Sequence, residues 1–141
     1  MKLSAGLLVV IAVVLGSVSV AGACDQKLAD VYAAKIKTAI GTQDNASLEK
    51  YSVLQAAVYH ACAQENSGHM KTRYMLGEAA SWDQAAQALN NESAGNLEKK
   101  RQYAHNAIKI ATPIASAANS SEKEKTAAKT ILWTLSWAHS G

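Results

Sequence analysis

The sequence predicts an all-α protein of five or six antiparallel helices. Residues with high helix propensity, alanine above all, are abundant, whereas phenylalanine is absent and Pro113 is the only proline. Apolar residues recur at three- and four-residue intervals, which is the spacing of one helix face, and no segment shows the alternation typical of a strand. We therefore expect a helical bundle or an irregular stack of helical hairpins.

The N-terminal segment has the pattern of a secretory signal peptide. Lys2 is followed by an apolar run, and Ala21 and Ala23 present small side chains to a signal peptidase. A membrane-anchoring helix is the alternative, but the run is short for a bilayer and is interrupted by glycine and serine. The sequence thus predicts a signal peptide at 1–23 and a single helical domain at 24–141.

Two helices are predicted to open the domain as a hairpin. The first covers about 26–40 and stops at Gly41, because its apolar residues share one face up to that point. A polar turn with capping residues follows at 42–45. The second helix then runs to about Gln64, where the breaker segment 66–68 ends it.

The middle of the chain allows two interpretations. A third helix is predicted over about 69–80, after which Ser81 and Gln84 fit a capping box that starts a short helix to about Leu89. A single helix that continues through Ser81 is the alternative. In both cases a polar loop is expected at 90–96.

Two further helices complete the domain. One starts at about Leu97 and is expected to end or kink at Pro113, which has no backbone N–H and disfavours helical geometry in the preceding residue. Ser121 and Glu124 form a second capping box, which opens the final helix. The apolar side of that helix is expected to reach Ala138.

The two cysteines are predicted to form a disulfide. Cys24 and Cys62 lie equally far from a turn centred on Gln43, so they come level with each other in an antiparallel helical hairpin. An oxidising compartment permits such a bond. Two free thiols are the simplest alternative.

A second alternative is lipidation of Cys24. The segment 21–24 resembles the lipobox of bacterial lipoproteins, although that family usually has a leucine at the position of Ala21. This resemblance implies a lipid anchor at Cys24 and hence an association with the membrane. It excludes the disulfide, because a lipidated Cys24 has no thiol left to pair with Cys62.

Some fragments resemble helices of tetratricopeptide repeats. They are Leu76-Gly77, then Trp82 with Ala85 and Leu89, and later Tyr103 with Ala107 and Pro113. The interval from Gly77 to Trp82 is too short for that family, and its period of about 34 residues does not run through the chain. The resemblance is therefore limited to scattered positions within a possible hairpin stack.

The chemically reactive residues form no recognisable catalytic or metal-binding pattern. The histidines lie on different predicted elements and make no His-x-x-x-His pair for a metal. His60 and Cys62 are two residues apart on a helix and point to different faces, so they are not a catalytic dyad. No catalytic residue, metal or cofactor is assigned; non-covalent haem would use His60, His105 or Met70.

Trp133 and Trp137 are the candidate interaction surface. They are four residues apart in the final predicted helix, on a stripe beside its aliphatic face. Aromatic residues are enriched both in small cores and at binding surfaces, so burial in the core is the alternative.

The expected function is that of an exported, periplasmic or secreted, protein-binding module without catalysis. Its expected partner is another envelope or secreted protein, or a second copy of the chain. A formal net charge of +3 with interspersed signs argues against nucleic acid as the partner. The alternatives are an immunity-type inhibitor of a toxic envelope enzyme and a carrier of haem or another small ligand.

Overall fold

The computed structural model describes residues 24–90 and 93–139, and this part of the chain is helical without a strand. The all-α prediction is therefore confirmed. The predicted signal peptide at 1–23 lies outside the described residues. The helices are α1 (Gln26–Gly41), α2 (Asn45–Gln64), α3 (Gly68–Gln87), α4 (Ala94–Ser116) and α5 (Glu122–Thr134), followed by a short 3-10 helix (Ser136–His139). None of these described helices combines the length and hydropathy needed to cross a bilayer.

The helices pack in chain order. Each described α-helix contacts the next one along the chain, and α3 also contacts α5. Consequently α2 and α4 lie on either side of α3 without direct backbone contact between them. This arrangement leaves a concave surface between α2, α3 and α4.

The core is built largely from alanine. Its larger cluster joins α3, α4, α5 and the 3-10 helix, and its buried members are Ala79, Ala104, Ala107, Ala111, Ile114, Ala128, Ile131, Leu135 and Ala138. Small side chains let helices approach closely, because little volume separates the two backbones. Several large rings, including those of Trp82 and Trp137, are only partly buried and pack at the margin of this cluster.

The disulfide prediction agrees with the structure of the α1–α2 hairpin. Cys24 and Cys62 lie at disulfide distance, with their Cα atoms 4.3 Å apart. Around them Ala29 and Val58 are buried, and three tyrosine rings pack against this second, smaller cluster. The bond therefore joins the open end of the hairpin to a small apolar core.

The turn of the hairpin differs in detail from the prediction. Gly41 is the last residue of α1 rather than its stop, and the left-handed residue is Gln43, with φ of 57°. The carboxylate of Asp44 then caps α2 by accepting a hydrogen bond from the Ser47 amide. A glutamine in this conformation is strained, because its Cβ approaches the following carbonyl oxygen.

We expect Gln43→Gly to raise the free energy of unfolding by about 0.5–1 kcal/mol, because glycine adopts a positive φ without this clash. Gln43→Ala is the matched control, since it shortens the side chain but keeps the Cβ. Urea midpoints of the two variants and the parent measure the effect. Equal midpoints for the glycine and alanine variants would contradict it.

The middle segment is one helix, so of the two interpretations the continuous helix is confirmed and the break at Ser81 is not. The Ser81 hydroxyl does not cap a helix. Its single hydrogen has two acceptors within reach, the Gly77 carbonyl at 2.9 Å and Oε1 of Gln55 at 3.1 Å. Gln55 lies on α2, so this partner is supplied by the tertiary structure. Gly77, also in the interior of α3, makes room for Tyr59, whose Cδ2 would lie 3.0 Å from a Cβ at that position.

The helix α4 starts earlier and continues further than predicted. Ser93 caps its N-terminus by accepting a hydrogen bond from the Asn96 amide, and the helix continues through Pro113 to Ser116. Pro113 lies in the last turn and is exposed, so water can reach the Lys109 carbonyl that loses its helical partner. The prediction that the helix ends at Pro113 is therefore wrong.

The C-terminal segment begins as predicted and ends differently. The capping box of Ser121 and Glu124 is confirmed, with both reciprocal hydrogen bonds present. The α-helix then stops at Thr134, whose hydroxyl donates to Oδ2 of the buried Asp83 on α3 at 2.7 Å. Leu135 and Ala138 are buried as expected, but beyond Leu135 the chain forms a 3-10 helix.

Candidate functional site

A groove runs between α2, α3 and α4. It consists of two adjoining cavities of about 370 Å³ and 510 Å³, which share His60, Gln64, Glu78 and Trp82. We call this surface the central groove. Its other lining residues are Ala56, Ala57, Ala61, Ala63, Lys71, Met75, Asn106, Lys109 and Ile110.

The floor of the central groove is one face of α3. Lys71, Met75, Glu78 and Trp82 follow each other at intervals of four, three and four residues, which places them in one row along a helix. The small side chains on the facing wall of α2, all of them alanines, leave the space open. The groove is thus a consequence of an alanine-rich wall opposite a row of large residues.

A hydrogen-bonded trio joins the floor of the groove on α3 to its wall on α2. The carboxylate of Glu78 is within 3.1 Å of Nδ1 of His60 through Oε1 and accepts a hydrogen bond of 3.2 Å from the Trp82 indole N–H through Oε2. Glu78 is buried, whereas the His60 side chain is 60% exposed. Both oxygens of the buried carboxylate therefore have partners, and the imidazole is fixed by one of its nitrogens. The other nitrogen, Nε2, has no hydrogen-bond partner among the described residues.

One end of the central groove is tied by a contact between its two walls. On α4, the Tyr103 hydroxyl donates a hydrogen bond of 2.6 Å to Oε2 of Glu49 on α2, and Nζ of Lys99 lies 3.1 Å from the same oxygen. The Tyr103 ring stacks on Trp82, with centroids 5.6 Å apart. Burial and the neighbouring Glu49 raise the pKa of Tyr103, so its hydroxyl stays protonated and continues to donate. These contacts set the separation of α2 and α4 across α3.

The rim of the central groove carries positive charge. Lys71 and Lys109 have no salt-bridge partner within residues 24–90 and 93–139, whereas Lys99 is paired with Glu49. The amide side chains of Gln64 and Asn106 lie on the same rim. The site therefore combines apolar side chains and the buried Glu78 carboxylate with cations that have no salt-bridge partner and with hydrogen-bonding amides.

The two tryptophans of the predicted interaction surface lie in different environments. Trp133, on α5, is 77% exposed. Trp137 belongs to the 3-10 helix, is half-buried against the larger core cluster, and has Nζ of Lys100 5.2 Å from its ring centroid. The expectation that both rings lie on one continuous helix is wrong, because α5 ends at Thr134.

Another histidine joins distant parts of the chain away from the groove. Nδ1 of His69, at the start of α3, lies 2.9 Å from Oε2 of Glu124, the buried residue of the capping box of α5. Hydrogen bonding from the Ser121 amide, with a smaller contribution from His69, lowers the pKa of the Glu124 carboxyl against the opposing effect of burial. The pair fastens the first turn of α3 to the first turn of α5.

The residues considered for haem or metal are not gathered at one place. Of His60, His105 and Met70, only His60 lines the central groove, while the other two are exposed elsewhere. In the part of the chain that the structure describes, no group of three His, Cys, Asp or Glu side chains is placed to hold a metal ion.

The residues that sequence reasoning missed are those of the groove floor. If a capping box at Ser81 starts a new helix, Trp82 belongs to a different helix from Glu78, and their four-residue spacing then has no meaning. The signal was the row from Lys71 to Trp82, which becomes visible once α3 is treated as a single helix.

Known proteins offer no relative for comparison: no protein family, no curated protein and no solved structure matches this chain. The central groove and the exposed Trp133 are therefore the features from which a function can be argued.

Proposed function

We propose that this chain is an exported helical module that binds a segment of another envelope or secreted protein in the central groove, without catalysis of its own. The observation that carries the proposal is that apolar side chains line one groove together with Lys71 and Lys109, which have no salt-bridge partner among the described residues. Export is supported by the signal-peptide pattern of the leader and by the two cysteines at disulfide distance, because disulfides persist in oxidising compartments.

The groove is suited to binding because its shape is held before a partner arrives. The contact of Tyr103 and Lys99 with Glu49 fixes the two walls. The hydrogen bonds of Glu78 fix His60 on the α2 wall and Trp82 in the floor. A preorganised surface loses less conformational entropy on binding. Trp82 is half-buried, which leaves part of its ring for an incoming side chain.

The charges of the rim indicate the chemistry of the partner segment. Lys71 and Lys109 favour carboxylates, while Met75 and Ile110 favour an apolar side chain between them. The proposed ligand is therefore a segment with an apolar residue flanked by aspartate or glutamate. Electrostatic attraction of this kind weakens as salt is added.

Trp133 offers a second candidate surface for a partner or for self-association. A ring that is 77% exposed on a helix is available for contact, and tryptophan is enriched at the centres of interfaces. It lies on α5, outside the central groove. The two surfaces are therefore separable by mutation.

The test is quantitative capture from an envelope extract, with the exported chain as bait at low salt. We expect Lys71→Glu combined with Lys109→Glu to reduce capture of the main partner about tenfold or more, which corresponds to about 1.4 kcal/mol of binding free energy. Lys27→Glu combined with Lys37→Glu is the control, because it changes the net charge equally at exposed positions of α1, away from both the groove and Trp133. Trp133→Ala tests the second surface.

The outcomes separate the alternatives. Loss of capture in Trp133→Ala with full capture by the groove variant would overturn the assignment of the groove. A captured enzyme whose activity is suppressed would identify an immunity-type inhibitor. Haem is tested on the same preparations. A Soret band that forms on titration with haem and is lost in His60→Ala would favour a haem carrier, since His60 lines the groove and its Nε2 has no hydrogen-bond partner among the described residues.

A further inference from the structure

The nitrogen atom of Cys24 is bound by a carboxylate. It donates a hydrogen bond of 2.8 Å to Oε2 of Glu65, a residue 41 positions away. Glu65 directly follows α2, and the pairing of Cys24 with Cys62 near the end of that helix holds the two groups together. The contact is therefore produced by the hairpin and its cysteine pair.

The chemistry of this nitrogen changes if the leader is removed. Before cleavage it is a neutral amide. Hydrolysis of the Ala23–Cys24 peptide bond consumes one water molecule, leaves a carboxylate on Ala23 and leaves a free amine on Cys24, which is protonated at neutral pH. The nitrogen atom then carries a positive charge 2.8 Å from the Glu65 carboxylate.

We propose that Glu65 is the binding site for the N-terminal ammonium group of the processed chain. Cleavage after Ala23 converts the existing hydrogen bond into a charge-assisted one, which is the stronger type. Processing thus creates an ion pair beside the disulfide and fastens the new N-terminus to the end of α2. The proposal depends on leader cleavage and is independent of what the central groove binds.

The other titratable groups around Cys24 are either engaged in contacts elsewhere or uncharged near neutral pH. Glu65 is therefore the charged partner of the Cys24 nitrogen. The Asp25 carboxylate caps α1 by accepting from the Leu28 amide. From α1, α2 and α3, the rings of Tyr32, Tyr59 and Tyr74 pack with the cysteine pair, and burial raises the pKa of Tyr32 and Tyr59, so these hydroxyls stay uncharged near neutral pH. The hydroxyl of Tyr74 is in contact with Gln26.

The experiment measures the reactivity of the α-amine in exported, purified protein. Intact mass first establishes that the chain begins at Cys24. The rate of α-amine labelling by an acylating reagent is then followed against pH for the parent and for Glu65→Gln. Only the unprotonated amine reacts, and an ion pair raises the pKa of the amine. We therefore expect the parent to label about two- to fivefold more slowly than the variant near pH 7, with the difference vanishing at high pH, where both amines are unprotonated.

Glu98→Gln serves as the matched control, because Glu98 is an exposed residue of α4, a helix that does not contact α1. It should label like the parent. Equal labelling profiles for the parent and Glu65→Gln would overturn the proposal. So would a mass that retains residues before Cys24, or one that shows a lipid and acyl group on Cys24, because neither product has a free α-amine there.

Discussion

Removal of the cysteine pair by Cys24→Ala combined with Cys62→Ala is expected to lower the free energy of unfolding by about 4 kcal/mol, the value that loop-closure entropy gives for a loop of this size. The two residues are separated by 38 positions, so the cross-link removes many conformations from the unfolded chain. Its main action is on the unfolded state, so the helices should persist in the folded variant. Circular dichroism measures the helix content, and guanidinium unfolding measures the free energy of unfolding.

Reduced parent protein is the control for this expectation. It should unfold at nearly the same denaturant concentration as the double alanine variant, because both lack the cross-link. Peptide mapping without reductant should recover Cys24 and Cys62 in one linked pair. Two freely alkylated thiols in protein purified from the envelope would contradict the prediction, as would equal stability of the oxidised and reduced forms.

Leu135→Ala is expected to cost about 3 kcal/mol of stability, within the range of roughly 2–5 kcal/mol measured for buried leucines. Leu135 is 0% exposed, belongs to the larger core cluster, and lies in the chain between α5 and the 3-10 helix. Truncation would remove buried methyl groups and leave a cavity in this cluster, and the cost depends on how far the neighbouring side chains can move in to fill it.

Trp133→Ala, two residues earlier, is the matched comparison. Because the ring is 77% exposed, its removal should change stability by no more than about 0.5 kcal/mol. The half-buried Trp137 should give an intermediate loss. A loss of several kcal/mol from Trp133→Ala would show that the ring is buried in solution and would end its interpretation as a contact surface, whether or not Leu135→Ala behaves as expected.

Local signals were sufficient for much of the secondary structure. The spacing of apolar residues located α1 and α2, and Ser121 with Glu124 marked the start of α5 through a capping box that involves only neighbouring residues. The pairing of Cys24 with Cys62 also followed from the sequence, because equal distances from a turn fix which residues of a helical hairpin come level.

Two of the errors occurred where a residue far away in the chain forms a hydrogen bond with a local polar group. Ser81 resembles a helix cap in sequence, but Gln55 on α2 accepts a hydrogen bond from its hydroxyl inside a continuous helix. The last α-helix was expected to continue to Ala138, yet it ends at Thr134, which is bound to Asp83 on α3. In both cases the hydroxyl at the mispredicted position forms a hydrogen bond with a residue more than twenty positions away in the chain.

The sequence by itself determined that the described chain is helical, where its first hairpin turns and which cysteines meet, because these properties depend on neighbouring residues or on the geometry of one hairpin. Only the tertiary structure revealed the central groove. His60, Glu78 and Tyr103 come from three helices, and their placement depends on how closely alanine-lined backbones approach and on which buried polar groups find partners across them. Such contacts involve residues far apart in the chain, so no local pattern encodes them.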